Sequence, residues 1–136
     1  MTSQPRSRFY SGGPWELTVG YSRATRVGDQ VFVSGCTSMK NGQVVGTNDP
    51  AAQARQTLET IAEALIGLGS SLHDVVRYRV YLTRIADWEA VAPVLAEQFE
   101  DVHPAGTLVA VADLIDPDLL IEIEVDAIAG SASPVS

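Results

Sequence analysis

Between Asp49 and Gly69 the chain carries one amphipathic helix with both ends marked, and its apolar face has to be buried against another element. Asp49 can cap the N-terminus, and Pro50 sits at the first helical position, where a missing N–H costs nothing. Ala51, Ala54, Leu58, Ile61, Ala62, Leu65 and Leu68 recur at three- and four-residue steps over about five turns. Gly69 closes the helix as a left-handed cap. A second helix is predicted from about Ala86 to Glu100, with Trp88, Val91, Leu95, Ala96 and Phe99 as its apolar side. Pro93 must fall early enough in it to be tolerated.

The partner for these helices is legible as strands. Val31-Phe32-Val33-Ser34-Gly35, Arg77 to Leu82 and Leu120 to Val125 alternate with period two, and Asn41-Gly42 between Met39 and Val44 is a hairpin turn signal. Strands that surround two helices in this order predict an α+β domain, a mixed sheet with helices on one face. If Ile121 and Ile123 face the helices, Glu122 and Glu124 face the other side. Val109, Val111, Tyr78 and Val80 add apolar or aromatic side chains to one face or the other, and a sheet apolar on both sides needs cover on both.

Composition narrows the function. A chain of 136 residues with 46% hydrophobic content is expected to form a single domain over 1–136, with about 1–7 and 130–136 as flexible termini. One cysteine, Cys36, excludes an intrachain disulfide framework and fits a reducing compartment. No apolar run reaches membrane-spanning length, and the polar start lacks the apolar core of a signal peptide, so a cytoplasmic protein without a membrane partner is expected. The net charge of −8 opposes binding to phosphate backbones, which counts against a nucleic-acid partner.

Four collinear stretches carry a resemblance. Tyr21-Ser22 precedes Val27-Gly28-Asp29 and Val31-Phe32-Val33-Ser34-Gly35; Gln53 to Leu68 forms the first helix; Gly69-Ser70-Ser71-Leu72 leads through Asp74-Val75-Val76 to Val80-Tyr81-Leu82-Thr83; and Pro104 to Glu124 reads PAGTLVAVADLIDPDLLIEIE. Together, over roughly residues 20 to 128, they resemble the RidA (YjgF) family of reactive-intermediate deaminases. The resemblance implies a chorismate-mutase-like α+β fold with a six-stranded mixed sheet and two helices on one face. It also implies a homotrimer whose sheets form a central barrel, with small-molecule sites between neighbouring subunits. RidA-like enzymes hydrolyse 2-imino or enamino acids to 2-oxo acids and ammonia, with no metal and no cofactor.

Carried over residue by residue, Tyr21 matches the pocket tyrosine and Glu122 the carboxylate that orients water. Gly106 stands where the family has the arginine that binds the substrate carboxylate, followed by Thr107 in the Ser/Thr position. Ala92 replaces a common asparagine and Ala110 a common acid. The opening Ser11-Gly12-Gly13-Pro14-Trp15-Glu16 and the Asp116-Pro117 spacer depart from the pattern, as in a divergent branch. Losing a bidentate arginine removes two charge-assisted bonds of about 1.5–3 kcal/mol each, or one to a few orders of magnitude in affinity. Arg79, Arg23, Arg26 and His103 are the candidate replacement donors, and each is also suited to a solvated or interface salt bridge. Arg79 and Cys36 join Gly106, Thr107 and Ala92 as candidate substrate-binding positions, although Cys36, with no adjacent base in the sequence, reads first as a buried structural thiol.

His73 and His103 are too few and too badly spaced for a metal site, Ser22 lacks a His-Asp pairing, and Trp15 and Trp88 read as core or interface anchors. Three functions remain open. One is an imine or enamine hydrolase of altered specificity, with Gly106 leaving room for a bulkier or uncharged imine. A second is redirected carbonyl or imine chemistry, such as cyclisation, dehydration or tautomerisation, run by Glu122 as general acid/base. The third is a non-catalytic trimer that binds a small metabolite.

Overall fold

The strand at the C-terminal end organises the molecule. In the computed structural model, which describes residues 5–135, β8 (Ile121–Ile128) buries Ile121, Ile123, Val125 and Ala127 and turns Glu122, Glu124 and Asp126 to the opposite face. This is the period-two pattern of a strand with one packed side. On one flank β8 pairs antiparallel with β3 (Gln30–Cys36), and on the other with β6 (Val75–Leu82). Beyond β3 lie β2 (Ala24–Val27) and β1 (Arg6–Phe9), and beyond β6 lies β7 (Ala105–Ala110), parallel to it. The result is the expected mixed six-stranded sheet of an α+β fold. A separate hairpin, β4 (Met39–Lys40) with β5 (Gln43–Val44), closes through Asn41 and Gly42 at φ 53° and 77°, as a two-residue primed turn requires.

Both long helices lie on the face that β8 buries. α2 (Pro50–Gly67) sets Ala54, Leu58, Ile61, Ala64 and Leu65 against β3 and β8. Its ends are built as expected: the Asp49 carboxylate accepts from Ala52 N–H at 3.0 Å, while Gly69 (φ 79°) lets Ser70 N–H reach Leu65 O and its own N–H reach Ile66 O. The Arg26 guanidinium donates to Leu68 O at 2.7 Å, capping the last turn. α3 (Trp88–Gln98) packs on α2 through Val91, Val94 and Leu95, with Phe99 just beyond. Three expectations for it fail. A 3₁₀ turn over Ile85–Asp87 precedes it, so it starts later than Ala86; Ala96 and Trp88 are exposed, Trp88 at 49%, so Trp88 is no core anchor; and Pro93 lies mid-helix rather than early. Pro93 is on the exposed side, where water can satisfy the carbonyl that its missing N–H releases.

The outer sheet face differs from the apolar surface that strand composition suggested. Tyr78 and Val80 point to the helices, while Val109 (42% exposed) and Phe32 (45%) point outward around a charged centre. There Arg79 donates to Asp126 at 3.3 Å and pairs with Glu124 at 3.8 Å, and Tyr81 donates to Glu124. Within the termini expected to be flexible, residues 1–4 and 136 lie outside the described residues, whereas Arg6 and Ser7 pair with Val27 and Arg26 in β1. The buried Asp74 carboxylate accepts from Ser70 Oγ and from the N–H groups of Gly130 and Ala132, so the start of the tail is held.

One polar side chain inside α2 sets the entry to β8. Gln53, fully buried, donates to Gly46 O at 3.1 Å and Asp118 O at 2.9 Å and accepts from Leu120 N–H at 2.8 Å. It ties the loop before β8 to the helix and so fixes where Ile121 and Glu122 begin. Gln53→Leu keeps the bulk but strands a buried N–H and two carbonyls, and should lower stability by at least about 2 kcal/mol in urea denaturation.

Candidate active site

The strand β3 breaks its register with β8 between Val33 and Cys36, leaving Ser34 and Gly35 in a bulge. The bulge meets Glu122 side-on. A Cβ placed on Gly35 would fall 2.5 Å from a Glu122 carboxylate oxygen, so only glycine lets this carboxylate lie against β3. The same bulge presents the Gly35 carbonyl to Arg23, which donates to it through Nη1 at 2.7 Å. Arg23 also reaches Cys36 Sγ at 3.5 Å and, through Nη2, Tyr21 Oη at 3.4 Å. Its guanidinium carbon stands 5.5 Å from the centre of the Tyr21 ring.

The segment before Tyr21 is folded by a second glutamate. Glu16, 2% exposed, opens the short helix α1 (Glu16–Val19). Its carboxylate accepts from Ser11 N–H at 3.0 Å, Ser11 Oγ at 2.6 Å and Gly13 N–H at 2.7 Å. Its carbonyl accepts from Gly20 and Tyr21 N–H, with Gly20 at φ 91° turning the chain. Burial pushes the Glu16 pKa up, but the bonds from Ser11 and Gly13 outweigh it, so the group stays ionised below the usual carboxylate range. The departure from the family pattern at residues 11–16 is therefore a loop organised around one buried carboxylate.

These parts enclose a cavity of about 150 Å³. Tyr21, Arg23, Gly35, Cys36 and Glu122 line it on one side, and Ser11, Pro14 and Trp15 of the N-terminal loop close another. Thr37, Met39, Thr60 and Ile115 complete the lining. Glu122 has no hydrogen-bond partner among the described residues, unlike Glu16 and Asp74. Burial first, then the Glu124 carboxylate, push its pKa up against the opposing pull of Arg23. A half-buried carboxylate in this state can take a proton from water and return it. Burial likewise pushes up the Cys36 thiol, and Arg23 only partly offsets this, so Cys36 lines the cavity as a neutral thiol rather than a nucleophile.

The site residues expected from sequence thus divide into two groups. Tyr21, Cys36 and Glu122 come together, joined by Arg23, which the sequence marked only as one of several possible donors. Gly106, Thr107, Ala92 and Arg79 do not line this cavity. Ala92 lies beside a second hollow with Tyr78, Ala96, Phe99 and Leu108, where His103 also stands. Thr107 is exposed on β7, and Arg79 is held by Asp126 and Glu124. Arg26 is used at the α2 terminus and Ser22 bonds Ala24 O and Thr25 Oγ1. Gly106 is exposed on β7, with the Tyr78 ring beside it. A Cβ there would fall 2.6 Å from the Tyr78 ring, which stacks on Phe99 with centroids 5.3 Å apart. Among the described residues no three His, Cys, Asp or Glu side chains are grouped as metal ligands, and no helix is long and apolar enough to cross a membrane.

Comparison with known proteins gives a consistent picture. A family model described as Endoribonuclease L-PSP matches residues 15–129. The 3-aminoacrylate deaminase RutC of Acinetobacter baylyi is 42% identical over 104 residues, covering 76% of this chain and 82% of that protein. An uncharacterized protein of Streptomyces coelicolor is 37% identical over 131 residues, covering 96% and 98%. Among solved structures, a Mycobacterium tuberculosis member of the YjgF/YER057c/UK114 family superposes with a TM-score of 0.84 at 42% identity, covering 92% of this chain and 100% of that one.

Two outcomes follow from the geometry. Gly106→Ala should cost about 1–3 kcal/mol by overpacking Tyr78; with Tyr78→Ala in the same chain, urea denaturation should give a loss smaller than the sum of the two single losses. Glu122 binds its proton more tightly folded than unfolded, so ionising it costs stability as pH rises through its raised pKa. Glu122→Gln should therefore melt above the parent at about pH 7.5 and converge with it below about pH 4.

Proposed function

The chain belongs to the Endoribonuclease L-PSP family, the YjgF/RidA group, and on that premise we propose that it hydrolyses small reactive imines or enamines to a carbonyl compound and ammonia. The observation that carries this reading is the Glu122 carboxylate, without a hydrogen-bond partner among the described residues, set in a partly open cavity beside Tyr21 and Arg23. RutC, a 3-aminoacrylate deaminase, is a relative acting on an enamine, and its likeness over most of this chain supports the same reaction class here. The net charge of −8 weighs against a reaction on a polynucleotide, whatever the family description says.

The reaction needs two protons passed through one carboxylate. Glu122 takes a proton from water as the oxygen attacks the carbon of the protonated imine, and the C=N π electrons pass to nitrogen. The protonated Glu122 then gives that proton to the nitrogen of the carbinolamine. The C–N bond breaks and ammonia leaves as Glu122 takes the hydroxyl proton, the C=O bond forms, and that second proton ends on the released ammonia. An enamine enters the same sequence after protonation at carbon makes it an iminium. Tyr21 and Arg23 hold the substrate against this carboxylate, and the wall from Ser11 to Trp15 limits competing water.

We assign the chain to a cytoplasmic homotrimer of single domains spanning 1–136. In it β7 and α3 of one copy, with Gly106, Thr107 and Ala92, would stand against the cavity of the next, and Arg79 would lie on the shared outer face. The test is release of ammonia and carbonyl product from freshly generated 2-iminobutanoate and from 3-aminoacrylate. The chain should outrun spontaneous hydrolysis, and Glu122→Gln should lower kcat about 10²- to 10⁴-fold. A parent no faster than buffer, or a Glu122→Gln variant at full rate, would sink the proposal.

A further inference from the structure

The strand that carries the family's substrate arginine has no side chain at Gly106, yet the cavity holding Glu122 contains a buried guanidinium on its other wall. Resting on the hydrolase reading above, we propose that Arg23 is the residue that binds the anionic group of the substrate. The carboxylate-binding cation would thus stand just before β2 instead of on β7.

Several observations converge on Arg23. It is 8% exposed and lines the cavity that Glu122 and Tyr21 line. An arginine so buried is ordinarily neutralised by a carboxylate within bonding distance. Arg23 has none within 4.0 Å among the described residues; its partners are a carbonyl, a thiol and a phenol, all neutral. Those three bonds use three of its five N–H groups, and the remaining two, on Nε and Nη2, have no acceptor among the described residues. Nη2 is also the nitrogen on the side of Tyr21, a lining residue.

Glu16 and Glu122 both feel the charge of Arg23, but among the described residues neither bonds to it. Glu16 is fully engaged by Ser11 and Gly13, and Glu122 makes no bond to the guanidinium. The cavity therefore offers a cation and a separate carboxylate that do not satisfy each other. A ligand with an anionic end for Arg23 and an imine or iminium nitrogen near Glu122 completes both. Other cations fall away on geometry: Arg79 is paired on the outer sheet face, Arg26 caps α2, and His103 faces the second hollow.

The wall formed by Pro14 and Trp15 strengthens the case. Excluding water from one side makes a charge-assisted bond to Arg23 stronger than the same bond at the surface. Residues 11–14 lie outside the stretch matched by the family model, whereas Trp15 is its first residue, so the cover straddles the edge of the family pattern. A cavity near 150 Å³ has room for a molecule of about benzene's bulk, which suits a short-chain imino acid.

Binding can be tested apart from turnover with two stable probes of equal size, 2-oxobutanoate and 2-oxobutanamide, measured by calorimetry. The parent should bind the carboxylate about tenfold or more tightly than the amide. Arg23→Gln should abolish that preference while leaving amide affinity near the parent's, and Arg23→Lys should keep part of it. Circular dichroism melts establish that each variant is folded; if Arg23→Gln does not fold, the parent's preference and its response to Arg23→Lys decide. Equal affinity of the parent for both probes, or an undiminished preference in a folded Arg23→Gln variant, overturns the assignment. Carboxylate preference that depends on Arg23 without ammonia release from any imine upholds it and removes the hydrolase reading alone.

Discussion

The one-sided burial of β8 is the constraint on which the rest depends. Because Ile121, Ile123, Val125 and Ala127 are locked into the core, Glu122 can point only to the other face, and a shift of one residue would bury the acids and expose the isoleucines. Pairing on both flanks fixes this register twice, to β3 and to β6. Only where β3 bulges at Ser34 and Gly35 is the packing loosened enough for a carboxylate to lie across a neighbouring strand. The site is thus a local defect in a sheet whose register is otherwise strongly specified.

Three buried polar side chains connect segments that apolar packing alone would leave loose. Gln53 ties the loop before β8 to α2, Glu16 folds the N-terminal loop over the cavity, and Asp74 holds the start of the C-terminal tail. Each satisfies several backbone groups at once, which offsets the desolvation of the side chain. Glu122 is the contrast. It is half-buried and unpartnered, so burial raises its pKa rather than being answered by donors, and that is the state a proton-transferring carboxylate needs. Stability is given up at the position where chemistry is proposed.

Gly106 on β7 is coupled to its surroundings. Tyr78 lies against Gly106 and stacks on Phe99, so the glycine is part of an aromatic packing arrangement. The cation in the cavity comes instead from Arg23, at the other end of the sheet order, where Tyr21, Gly35 and Cys36 orient it.

Sequence alone determined the elements whose signals are local. The caps and apolar face of α2, the hairpin at Asn41-Gly42, the alternation of β8 and the family pattern from Tyr21 to Glu124 all rest on neighbours within a few residues, and the fold class followed from them. Only the tertiary structure decided the rest. Nothing local distinguishes Arg23 from Arg26 or Arg79, because the difference lies in the strand each meets: a bulge carbonyl, a helix terminus or a pair of acids. Likewise Gln53 and Glu16 read as ordinary polar residues until the chain brings their distant backbone partners within reach, and the Tyr78 ring comes beside Gly106 only through the pairing of β6 with β7. Long-range contacts of this kind leave no periodicity in the sequence, since they are set by how the strands are ordered and where one of them bulges.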